Sequence, residues 1–272
     1  IIILYLKKQD QKMFKLKTPL KKGSKLLINA WSFYDWANSV YSLVITTAIF
    51  PLYYASIFSN VNYISVFEFE IKNTAMISFI TAFAFCIIVI IIPILSGIAD
   101  YIENKKIFMK FFVYVGSISC ILLYWFEIEN IFTSLFFYFL ALIGFWSSLV
   151  FYNSFLPDIA YPHQQDKTSA FGYSMGYIGS VILLLINLTM VTNPHLFGIE
   201  GSFKVASVKA MKYSFITVGL WWFLFSQISF YYLPGKKISK KISKKILFKG
   251  FNELRIVWNE IKLNIDLKKF LF

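Results

Sequence analysis

The 272 residues are 58% hydrophobic and 20% aromatic but only 15% charged, with a formal net charge of +13. A soluble domain carries roughly a quarter charged residues, so this composition excludes an ordinary water-soluble fold. The excess charge does not imply nucleic acid as a partner. Of the 27 basic residues, 23 lie in segments that fall on one side of a membrane once the apolar runs are threaded through it, a topology signal with some attraction for anionic headgroups.

In chain order, residues 1–25 form a basic segment with eight lysines. No small-residue cleavage site follows its first dozen residues, so it does not read as a signal peptide, and Met13 is an alternative start. Leu26–Phe58 is the first apolar run and carries one charge, Asp35. Ile107–Phe126 carries only Lys110, while Thr74–Ala99, Ile131–Pro157, Ser169–Pro194 and Tyr213–Leu233 carry none. Each is long enough to cross the hydrocarbon as a helix, which takes roughly 20 residues. Lipid leaves only helices or closed barrels as spanning structures, and these runs lack the alternation of barrel strands. The expected fold is therefore an all-α membrane protein, with six transmembrane helices over residues 26–233. Basic-residue bias places both ends in the cytoplasm and the larger loops, Ser59–Asn73 and Asn193–Met211, outside. Residues 234–272 begin with Lys-Lys-Ile repeats, where Ile238, Ile242 and Ile246 recur every fourth position. This segment reads either as a basic amphipathic helix on the membrane surface or as a solvated linker. Lys269-Phe270-Leu271-Phe272 reads as the opening of a truncated seventh helix.

Polar side chains within the apolar runs mark candidate sites. A charge at the centre of a membrane helix costs roughly 2.5–3.5 kcal/mol on insertion scales, so it faces a protein interior or an aqueous path. Asp35, Asn38, Ser42 and Thr46 follow helical spacing and are expected on one face. They read as a substrate or proton path, or as a brace between helices. Tyr152 and Asn153 precede Pro157, which tends to end or kink a helix, and either line a cavity or bond a neighbouring helix. Gly172, Gly176 and Gly179 are spaced for close packing of two helices. Cys86 and Cys120 both fall within spans and imply no disulfide framework.

Other chemistries lack support. His163 and His195 fall on opposite sides of the membrane, which disfavours a multi-histidine metal site, and no phosphate-binding loop is present. No nucleophile–base pair can be argued, so the chain does not read as an enzyme, and neither metal nor cofactor is expected.

The turn after the second run reads Ser96-Gly97-Ile98-Ala99-Asp100-Tyr101-Ile102-Glu103-Asn104-Lys105-Lys106. It resembles the cytoplasmic signature of the major facilitator superfamily, with Glu103 where the signature has glycine and Tyr101 in place of a basic residue. "INAWSFYDWANSVYSLVITTAIFP" (Ile28–Pro51), "FYNSFLPDIA" (Phe151–Ala160) and "SAFGYSMGYIGS" (Ser169–Ser180) are more specific. They resemble the vacuole-effluxer-like, autophagy-related permease branch of that superfamily over roughly Ile28 to Leu233. The resemblance implies the N-terminal six helices of a transporter with two six-helix halves, and a cytoplasmic gate at Gly97, Asp100, Lys105 and Lys106 in which Asp100 pairs with nearby lysines and the facing half.

The expected function is secondary active transport of a small polar solute such as an amino acid, by alternating access. The expected partners are the lipid bilayer and a C-terminal six-helix half, encoded separately or missing. The expected location is a bacterial inner membrane. The alternative is a membrane protein that does not transport, either a helix-bundle assembly partner or a truncated, decaying gene product.

Overall fold

The computed structural model describes residues 20–66, 69–101, 103–235 and the isolated position 259. The expected surface helix after residue 235, the truncated seventh helix, Met13 and most of the basic N-terminal segment lie outside the described residues.

Six helical units are long and apolar enough to cross a membrane: Lys25–Ile57, Asn73–Tyr101, Lys105–Trp125, Ile131–Ile159, Pro162–Thr192 and Phe203–Tyr232. We refer to them as the first to sixth spans. The chain is an all-α integral membrane protein, with one small extramembrane hairpin.

The fifth and sixth spans begin well before their charge-free runs. Pro162 starts the fifth, where its fixed φ and missing N–H suit a first helical turn, and Gln164 Oε1 accepts from the Tyr161 N–H at 3.1 Å. The sixth span takes Lys204, Lys209 and Lys212 into its first turns. Lys212 pairs with Glu127 at 2.9 Å, and Lys209 donates to the Glu200 carbonyl at 3.4 Å. The loop expected over Asn193–Met211 thus shrinks to residues 193–202, which contain a 3₁₀ turn, Pro194–Phe197, ending at Gly198 with φ +71°. The lysines had hidden the helix start.

The other expected outer loop is a hairpin. β1 (Tyr63–Val66) pairs antiparallel with β2 (Phe69–Lys72), Tyr63 opposite Lys72 and Val66 opposite Phe69. Phe69-Glu70-Ile71-Lys72 alternates apolar and polar side chains, the period of a strand with one wet face.

The second span packs on the fourth, and the fifth on the first. The third packs on the fourth and sixth, and the sixth also on the first. These neighbours define a front layer in the order second, fourth, first, fifth, backed by the third and sixth. Between helices in lipid, association relies on close packing, which small residues permit. Gly116 and Gly144 bring the third and fourth spans together so closely that a Cβ on Gly144 would fall on the backbone of Gly116. The first span is an α-helix over Lys25–Val40, a π-helix over Tyr41–Ile49 and an α-helix over Phe50–Ile57. A π-helical stretch rotates the side chains that follow it relative to an unbroken α-helix.

Candidate functional site

The site forms where the first, fourth and fifth spans meet. Asp35 is 6% exposed and accepts from the Tyr152 hydroxyl at 2.8 Å. The Trp31 ring, one turn earlier, stacks on Tyr152 with centroids 4.2 Å apart, and its Nε1 donates to the Tyr152 carbonyl at 3.0 Å. Tyr34 donates to Ser148, one turn before Tyr152, at 2.8 Å. The Trp31 stack thus holds the Tyr152 ring, and its hydroxyl in turn fixes one oxygen of Asp35. Among the described residues no cation forms an ion pair with Asp35.

The fifth span covers this carboxylate with glycine. A Cβ on Gly172 would stand 2.6 Å from Asp35 Oδ2, and one on Gly176 would meet Ser39. At Gly179 it would stand 2.9 Å from the Trp36 carbonyl. The three small residues therefore face polar and aromatic groups of the first span, and glycine is what lets the spans close over them.

The four-residue stripe on the first span does not share one environment. Asp35 and Asn38 are buried, Asn38 at 1% exposure, whereas Ser42 and Thr46 lie open. Ser42 and Thr46 fall inside the π-helix, which changes the register after Val40, and Thr47 Oγ1 donates to the Ser42 carbonyl at 2.9 Å within it. Because the first span packs against the fourth, fifth and sixth, its open side is the front of the bundle. Asn153 is exposed on the fourth span, while its neighbour Tyr152 is buried. The Asn38 amide nitrogen and the Tyr41 hydroxyl are buried with no hydrogen-bond partner among the described residues. Such groups are costly to leave unpaired, by about 1–3 kcal/mol each.

At the turn between the second and third spans, the expected pairing of Asp100 with nearby lysines is replaced by another. Asp100 is exposed, and Lys105 instead bonds Asp158 at 3.0 Å and the Ser154 carbonyl at 2.9 Å. Lys106 donates to the Leu233 carbonyl at 2.8 Å and Lys22 to the Pro157 carbonyl at 2.6 Å. The reason is geometric: carbonyls at the ends of the fourth and sixth spans lack intrahelical partners and carry the negative end of each helix dipole. Gly97 is buried on the second span. Glu103 adopts φ +55° and completes a Schellman ending, in which Asn104 N–H reaches the Ala99 carbonyl and Glu103 N–H that of Asp100. The backbone thus makes the turn of the family signature without its glycine.

Trp31, Tyr34 and Ser148 were not singled out from the sequence. The signal was there, since Trp31 lies four residues before Asp35 and Ser148 four before Tyr152. The fifth span's Asn187 accepts from Thr217 of the sixth at 2.9 Å, an ordinary interhelical bond.

The profile of the "Vacuole effluxer Atg22 like" family matches residues 23–272. The chain belongs to that family. Among curated proteins, the "Uncharacterized MFS-type transporter YxiO" of Bacillus subtilis is 36% identical over 198 residues. That alignment covers 73% of this Atg22-like chain and 44% of the relative, so the chain spans less than half the length of the protein it matches. No solved structure matches this Atg22-like sequence.

Proposed function

We propose that this chain supplies one six-span half of a secondary transporter that moves a small polar solute, amino acids being the first class to test, by alternating access. Family membership and the printed name of the Bacillus relative support transport of the major-facilitator type. The observation that carries the reading is Asp35, a buried carboxylate with no cation partner among the described residues, on the same span as Ser42 and Thr46, which lie open on the front face. In transporters built from repeats, substrate binds near the bilayer midplane where the halves meet. The front layer offers Ser42, Thr46 and Asn153 to such a partner half, which completes a protein of the relative's length. Asp35 carries the coupling proton, being the one acidic side chain on this stripe able to take and release one. The gate lies at the turn from Gly97 to Lys106, with Lys105 acting through Asp158 rather than Asp100. An exposed pair of this kind contributes about 0–1 kcal/mol, weak enough to break in each cycle. Its membrane is the bacterial inner membrane, with both ends cytoplasmic, as the basic-residue bias favours.

The test is solute uptake into vesicles carrying the protein of the complete reading frame, with a metabolite panel and an imposed pH gradient. Asp35→Asn keeps the side-chain shape and removes the titratable group. It is expected to abolish gradient-driven accumulation while leaving counterflow exchange. Unchanged accumulation would sink the coupling role, and transport of no panel solute by wild type would sink the polar-solute reading.

A further inference from the structure

A second polar feature lies at the cytoplasmic ends of the first and fifth spans, away from Asp35. Between them is a cavity of about 560 Å³. Lys25, Lys167 and His163 line it, Thr168 stands in its wall, and Ile28 and Phe171 give it an apolar side. No carboxylate is among its described lining residues.

Two observations give this cavity a ligand chemistry. The first is charge: Lys25 and Lys167 form no ion pair with a described residue, and the fifth span opens at Pro162 with its positive dipole end beside them. The second is Thr168. It is only 3% exposed, and its hydroxyl is not among the side-chain donors of the fifth span that bond a described residue. Elsewhere on this helix Ser174, Ser180, Thr189 and Thr192 each bond a carbonyl four residues back. Thr168 departs from that habit, leaving its donor free at the wall of a basic cavity.

We propose that this cavity is a binding site for a phosphate group, borne either by an anionic phospholipid headgroup or by a free phosphate compound. Basic pockets between transmembrane helices on the cytoplasmic side are suited to anionic headgroups. Lys25 and Lys167 neutralise the phosphate, Thr168 donates to one of its oxygens, and Ile28 with Phe171 lie along the start of an acyl chain. The site is independent of the solute path, because none of its lining residues belongs to the Asp35 stripe.

The full chain is placed in phosphatidylcholine nanodiscs with or without phosphatidylglycerol, and retained lipid is counted by native mass spectrometry. Wild type is expected to retain phosphatidylglycerol over phosphatidylcholine. Binding should fall about fivefold for each of Lys25→Gln and Lys167→Gln. Thr168→Val should weaken it and Thr168→Ser should not. Lys204→Gln/Lys209→Gln removes two charges at the opposite end and should leave retention unchanged. In a second arm, inorganic phosphate is titrated into the phosphatidylcholine-only sample while thermal stability is followed. Stabilisation there, lost with Lys25→Gln/Lys167→Gln, supports the site with a soluble ligand as its source. Equal loss in the Lys204/Lys209 control, or no response in either arm from variants of unchanged helicity, overturns the proposal.

Discussion

At the crossing of the third and fourth spans, Gly116 and Gly144 bring backbone against backbone, and the Trp222 ring closes the side. At the crossing of the first and fifth spans, Gly172 and Gly176 instead make room for the Asp35 carboxylate and the Ser39 hydroxyl. Both crossings use glycine to bring helices close, yet they differ in what can yield. Backbone atoms at the first crossing have nowhere to go without moving a whole span. At Gly172 and Gly176 of the second crossing the nearest atoms are side-chain ends, which can rotate. The first crossing is built as a fixed seam and the second as a joint with polar contents.

Gly144→Ala should therefore have the largest effect. Its new methyl meets the Gly116 backbone and the Phe112 carbonyl, and overpacking of this kind costs typically about 1–3 kcal/mol, occasionally more. The melting temperature of the detergent-solubilised protein should fall clearly. Gly172→Ala should cost less, because its neighbours are the ends of Asp35 and Tyr152. If Gly172→Ala melts lower than Gly144→Ala, the distinction between seam and joint is wrong. Smaller again is Tyr152→Phe, which keeps the stack on Trp31 but removes the bond to Asp35. Interhelical hydrogen bonds in membranes contribute about 0.6 kcal/mol on average and about 1.7 at most, so its loss should stay within that range. A double-mutant cycle with Asp35→Asn reads the coupling directly.

Much of the bundle was legible because charge is so costly in lipid that its absence marks the spans. Where charge enters a helix, the same rule misled. Lys204, Lys209 and Lys212 belong to the sixth span because the outer turns reach water and Lys212 finds Glu127. The polar stripe was legible as a list of residues but not as an arrangement. Tyr41–Ile49 is mostly apolar whatever helix it forms, so nothing in it announces the π register that separates Asp35 and Asn38 from Ser42 and Thr46. The Asp35–Tyr152 contact joins positions 117 residues apart, and no local spacing reports it. Lys105 was expected at the gate, but its carbonyl partner exists only where the long helix of the fourth span, Ile131–Asn153, gives way at Ser154.

Glu103 extends the comparison to a place where glycine is missing. Glycines at the two crossings are set by what a Cβ would touch, whereas residue 103 is set by its own backbone at φ +55°. A non-glycine residue pays about 1–2 kcal/mol in the left-handed region, and glycine removes that strain. Glycine also loosens the unfolded chain, which offsets about 0.4–1 kcal/mol of the gain. Glu103→Gly should then raise the melting temperature slightly, the one gain among these losses. Glu103→Ala keeps the strained φ and removes the carboxylate, so it isolates the side chain's own contacts. Alanine should be neutral or lower, and glycine higher than alanine. A glycine variant no more stable than alanine would show that the turn relaxes without cost, and that the signature glycine is not required by backbone conformation here.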